Sequence, residues 1–237
     1  MESTMKRTTL ITAALLLAAA MASASGSEEE GPFDTYGVEA IVIRSGPLDV
    51  RVSGGDSPEV TLDSESSTDF FSENDAGSRI VHRREGSRLN VWIEQDSLFA
   101  SPASGRISIR APRGTDVRVE STTGRVFVEG IEGGSYSVHT VSGRIRLDHV
   151  RGRLSVDSVS GGIAGRNVRI DGDSSFSSVS GNVDIELDSA LEDLGFDLRS
   201  VSGSITVGGI RAERGLRMGF GRTLVRGHTI SGALSFR

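Results

Sequence analysis

The chain has 237 residues, a net charge of -6, 30 glycines, 5% aromatic residues and no cysteine. That charge argues against a general nucleic-acid binder, because phosphate contacts need a surplus of Lys and Arg. The lack of cysteine excludes a disulfide framework, a thiolate metal site, a Cys nucleophile and a lipidated N-terminal cysteine.

In chain order, residues 1–24 read as a signal peptide. Lys6-Arg7 supplies the positive start, Leu10 to Ala20 an apolar run, and Ala22-Ser23-Ala24 a small-residue cleavage site. The run is short for a membrane span, so no stable transmembrane segment is expected after cleavage. Lys6 is the one lysine, so every later cation is Arg or His. Residues 25–37 read as a flexible linker. From Val38 strands begin: Ile41, Ile43, Leu48, Val50 and Val52, then Val60-Leu62. An acidic, Ser-rich surface loop is expected over 63–78, with Phe70-Phe71 folding back on the body. Ile80-Val81 and Leu89 to Ile93 resume the strands, and a second loop is expected over 94–104. These stretches make 38–104 the irregular part of a single domain spanning 38–237.

From 105 onward the sequence repeats. Gly124, Gly143, Gly161, Gly181, Gly203 and Gly232 each follow a Ser/Thr-x-Ser/Thr pair, as in Thr140-Val-Ser-Gly143 and Ser158-Val-Ser-Gly161. Their spacings are 19, 18, 20, 22 and 29 residues. Gly105 begins a degenerate earlier copy. Before four of the glycines lie alternating apolar residues, such as Val117 and Val119 or Leu154 and Val156, and after five of them lie pairs such as Val126 and Val128 or Ile205 and Val207. Period two on both sides predicts strands with one buried face, and the glycine predicts a corner where a β-carbon would obstruct. A further apolar residue (Ile131, Val150, Val168, Ile210) is expected to return each copy to the core. One copy cannot bury its own apolar face, so the copies are expected to stack as an all-β, parallel β-solenoid with coils of about 18–22 residues. The inward Ser121, Thr140, Ser158, Ser178, Ser200 and Thr229 would then form a hydroxyl ladder bonded to neighbours or corner backbone.

The recurring Ser-Val-Ser-Gly-x-Ile/Val frame, the leader and the weaker N-terminal half resemble the bacterial putative-adhesin family of β-strand-repeat domains, a family of unknown function. The resemblance covers roughly Val38 to Arg237. It implies a parallel β-helix in the envelope or at the surface, an adhesion-like role, and no catalytic residues to carry over.

Chemistry-bearing motifs are sparse. His82, His139, His149 and His228 lie outside metal-ligand spacing of one another. Gly161-Gly162-Ile163-Ala164-Gly165 lacks the aspartate of a calcium-binding β-roll. Asp171, Asp173, Asp184, Asp188, Glu192 and Asp193 are candidate paired carboxylates for a β-helix glycosidase, but fall where turns favour Asp. No metal, cofactor or catalytic residue is expected. A surface strip is the one candidate site. Glu120, His139 and Asp157 share an outward position four residues before successive glycines, with Arg125, Arg144 and Arg146 expected beside them. Two readings stay open: a recognition strip for an anionic glycan or peptide, or a solvated face with cross-strand ion pairs.

The sequence is therefore read as a non-catalytic exported protein, periplasmic or on the cell surface, that uses a rigid solenoid to bind an envelope or surface ligand, glycan or protein. The alternatives are a polysaccharide-active enzyme and a self-assembling scaffold. At the C-terminal end, either 208–228 doubles back as a cap or the final coil, with inward Leu234 and Phe236, is open to a partner strand. At most a homodimer through that coil is expected.

Overall fold

The computed structural model describes residues 36–57, 61–66, 78–95, 105–219 and 221–237. The expected signal peptide, most of the linker, Phe70-Phe71 and 96–104 lie outside these residues. Thr35–Arg237 forms one compact unit. It is all-β: its strands make a curled sheet, and the described helical structure is a single 3-10 turn at Leu191–Asp193.

The strands fall into two hydrogen-bonded ladders. The first holds β1 (Ala40–Gly46), β4 (Ser78–Glu85), β5 (Arg88–Gln95), β7 (Asp116–Ser121), β9 (Glu132–Thr140), β11 (Arg151–Ser158), β13 (Ser174–Ser178), β15 (Leu194–Ser202), β18 (Gly215–Met218) and β19 (Thr223–Ser231). The second holds β2 (Asp49–Gly55), β3 (Thr61–Ser66), β6 (Gly105–Pro112), β8 (Val126–Glu129), β10 (Ile145–Asp148), β12 (Ile163–Ile170), β14 (Val183–Leu187), β16 (Ile205–Val207), β17 (Ile210–Ala212) and β20 (Leu234–Phe236). Through the middle of the chain, each strand pairs in parallel with the strand two further on. Thus β7–β9–β11–β13 run in one ladder and β8–β10–β12–β14 in the other. This is what stacking of near-identical repeats dictates, because each repeat meets the same register in its neighbour.

The predicted parity holds. Val117, Val119, Leu154, Val156, Ile145 and Leu147 are buried, as are the return residues Ile131, Val150 and Val168. Burying each such side chain contributes roughly 1.5–3 kcal/mol. Ile210 departs from the pattern: it is half exposed, because it begins the hairpin strand β17 rather than returning to the core. The surface loop expected over 63–78 is also shorter than read. Thr61–Ser66 is a strand antiparallel to β6, and β4 already begins at Ser78. Glu94 and Gln95 likewise belong to β5.

At both ends the spatial order departs from the chain order. The β1–β2 repeat sits between β5–β6 and β7–β8. The last repeat, β19–β20, sits between β13–β14 and β15–β16. The outermost described strands run antiparallel, β3 and β4 at one end and β17 and β18 at the other. Of the two alternatives read for the C-terminal end, the structure shows the doubling back and not the open final coil. Leu234 and Phe236 are fully buried and β20 is paired on both sides. Part of the 208–228 segment does double back, as β17 and β18 against β16 and β15.

Candidate ligand-binding surface

Each repeat turns from the first ladder to the second at its glycine. The glycine is needed there for close approach. A β-carbon on Gly143 would overlap the carbonyl oxygen of Gly124, and one on Gly161 that of Gly143; Gly181, Gly232 and Gly203 continue the column in that order. None of these glycines has positive φ. Behind the corner stand the buried hydroxyls. Thr140 Oγ1, Ser158 Oγ and Ser178 Oγ accept hydrogen bonds from the amides of Gly143, Gly161 and Gly181 at 2.9, 2.8 and 2.8 Å. Ser121 Oγ lies 3.1 Å from Gly124 O and 3.2 Å from Gly46 O, donating to one at a time. The hydroxyls of Ser200 and Thr229 are buried without a hydrogen-bond partner among the described residues, so the ladder is bonded from Ser121 to Ser178 and not beyond. Buried Ser45, three residues before Leu48, is similarly unbonded.

In-register stacking turns outward residues into columns about 4.8 Å apart from rung to rung. On the first ladder, Glu120, His139 and Asp157 are direct neighbours on β7, β9 and β11, as the spacing predicts. Glu120 is engaged by Arg118 at 2.8 Å and Arg44 at 3.3 Å. Further along the same face, Asp197 receives a hydrogen bond from Arg217 at 2.8 Å and stands 3.6 Å from Arg199. The Arg217 hydrogen bond, more than the small desolvation that opposes it, holds the Asp197 carboxyl below its usual range.

Arg125, Arg144 and Arg146 do not lie beside that column. They follow the glycine corner and therefore stand on the side of the second ladder, where Arg146, Phe127 and Arg51 form one row with Phe127 in the middle. The expected single strip is two surfaces separated by the corner. Arg125 is bound by Asp49 at 2.6 Å. Burial raises the Asp49 carboxyl, but the side-chain and backbone hydrogen bonds and the charge of Arg125 outweigh it and leave Asp49 below its usual range. Phe127, half-buried on β8, has the guanidinium groups of Arg51 and Arg125 each 5.8 Å from its ring centroid. Arg51 also meets Glu129 at 3.3 Å. The outward Phe127 escaped the sequence reading, although its place between inward Val126 and Val128 marks it.

The other candidates have local duties. Asp184 pairs with Arg237 at 2.6 Å, and Asp173 accepts from the amide of Leu224 at 3.0 Å. Asp171 pairs with Arg151 at 2.7 Å and lines a shallow cleft with Asp188, Asp193 and Arg169. His149 contacts Asp148 at 2.8 Å and Asn167 at 3.1 Å. Among the described residues, no group of three or more His, Asp or Glu side chains is placed to hold a metal ion, and no helix is long and apolar enough to cross a membrane.

A profile of the Toastrack DUF4097 family matches residues 78–217, more than half the chain. The chain belongs to that family. The Toastrack match agrees with the family that the repeated frames resemble. The fold is also similar to the crystal structure of a putative cell adhesion protein from Clostridium sporogenes, with a TM-score of 0.50 and 13% identity. The similarity covers 86% of this chain and 96% of that one. No curated protein matches the sequence.

Proposed function

We propose that this Toastrack chain is a non-catalytic, exported β-solenoid of the cell envelope, which binds an envelope or surface ligand through the outer faces of its ladders. The solenoid spans 38–237 and follows a leader at 1–24 and a linker at 25–37. Its coils are the repeats whose strands pair two apart. The observation that carries the reading is the register. Six glycine corners stack so closely that the outward side chains of neighbouring repeats are fixed into columns. Such a surface presents side chains with little loss of backbone freedom on binding. The adhesion label of the Clostridium sporogenes protein points the same way.

The polysaccharide-active alternative has one observation in its favour, the cleft with Asp171, Asp188 and Asp193. Asp171 is already committed to Arg151, with Arg169 at 3.8 Å, which leaves it poorly placed to act as a free acid or base. Binding is the better reading. N-terminal sequencing of the native protein should begin just after Ala24, and immobilised protein should retain material from an envelope extract. An intact N-terminus on native protein, or no retention of envelope material, overturns the proposal.

A further inference from the structure

The outer face of the second ladder carries a built arrangement that the general binding reading does not name. Phe127 stands at its centre, partly exposed, with the guanidinium groups of Arg51 and Arg125 over its ring. On the next rung, Arg144 is level with Arg125 and Arg146 with Phe127. Arg51 and Arg125 are neutralised by Glu129 and Asp49. Arg144 has no carboxylate within ion-pair distance among the described residues, and Arg146 approaches Asp148 only to 4.0 Å. Two exposed arginines, two positions apart in extended chain and so about 6–7 Å apart at the backbone, are thus available to an anion. One rung further, Gly162 and Ala164 take the positions of Arg144 and Arg146. A β-carbon on Gly162 would meet nothing closer than Asn182 O at 3.6 Å. Along β12 the small Gly162 and Ala164 therefore stand between Arg144 and Arg146 on one side and Asn182 and Asp184 on the other.

From this juxtaposition we infer that the second-ladder face binds an acidic polysaccharide, one whose sugar rings carry carboxylates. Arg144 and Arg146 take the carboxylates, and the part of Phe127 left exposed beside the guanidinium groups of Arg51 and Arg125 meets the sugar. An acidic peptide fits less well. β8, β10 and β12 are paired on both sides, so the face has no free backbone edge on which an extended peptide could add a strand. The inference rests on the binding function proposed above and names its site and ligand class.

The test is binding of the purified chain to polygalacturonate, its fully methyl-esterified form and poly-L-glutamate at low salt. Polygalacturonate should bind, and the esterified polymer and poly-L-glutamate should each bind at least about tenfold more weakly. The double variant Arg144→Glu/Arg146→Glu should weaken polygalacturonate binding at least about tenfold, and Phe127→Ala about fivefold. Asp157→Ser, on the other ladder, should leave it unchanged. All these side chains are outward, and circular dichroism melts should match the parent. Equal binding of poly-L-glutamate, equal binding of the esterified polymer, or full binding by the double variant overturns the site. If parent and double variant are retained equally by envelope extract while neither binds polygalacturonate, this site falls and the general proposal stands. If the parent is not retained at all, the general proposal falls.

Discussion

The ring of Phe236 packs edge-on against that of Phe176, with centroids 5.6 Å apart. Its other neighbour is Phe196, at 5.7 Å. The last strand, β20, therefore fills the core between two earlier repeats instead of closing the stack from outside. Phe236→Ala should destabilise the fold by about 3–5 kcal/mol, the usual effect of emptying a fully buried aromatic site. Leu234→Lys should be as severe, because it places an ammonium group among apolar side chains. Denaturant melts check both. A Leu234→Lys protein of parental stability would place this strand at an exposed end.

The glycine column makes a sharper contrast between adjacent residues. Gly161→Ala drives a methyl group into the carbonyl of Gly143, whereas on Gly162→Ala it meets only Asn182 O, at the van der Waals distance of 3.6 Å. The first should lose about 2–4 kcal/mol and the second less than about 1 kcal/mol. Thermal unfolding of the two variants decides it, and equal stabilities would refute the stacking of corner on corner.

Acid should loosen the N-terminal part of the second ladder through Asp49. Its folded carboxyl lies below the usual value, so the unfolded chain takes up the proton first as pH falls. The stabilisation is complete above about pH 4, near the unfolded carboxylate value, and disappears as pH drops through the lower folded value. Asp49→Asn should cost about 1 kcal/mol at neutral pH and flatten this part of the acid limb. Stability measured from pH 7 to pH 2 in parent and variant is the check. A variant as stable as the parent at neutral pH would show the Arg125 pair to be idle.

How much of this was legible in the sequence depends on the residue. Val156 inward and Asp157 outward followed from period two alone, and Glu120, His139 and Asp157 became neighbours because equal offsets from stacked glycines force them together. The order of the last two repeats was not legible. The Ser200-Val-Ser-Gly203 and Thr229-Ile-Ser-Gly232 frames present the same parity and the same glycine, so either could follow Gly181. The 29-residue gap between Gly203 and Gly232 held the hint: it contains β17 and β18, which occupy the edge and send the chain back inside. The separation of Arg144 from His139 needed the direction of the corner. Offsets on either side of a glycine look adjacent in sequence, yet belong to different ladders.

The repeats stack in register, with the last one inserted, so that outward columns are fixed. Cross-linking tests it on a chain with no cysteine of its own. Ser177 and His228 face each other on β13 and β19, whereas Arg199 lies one strand further on, beside His228. Directly paired positions are about 4.8 Å apart, within the roughly 4.4–6.8 Å that a disulfide spans, and positions two strands apart are not. Under mild oxidation, the Ser177→Cys/His228→Cys protein should form an intramolecular disulfide, read by mass spectrometry, and Ser177→Cys/Arg199→Cys should remain reduced. The reverse outcome, with Ser177 joined to Arg199 and not to His228, would contradict the insertion and the surface built on it.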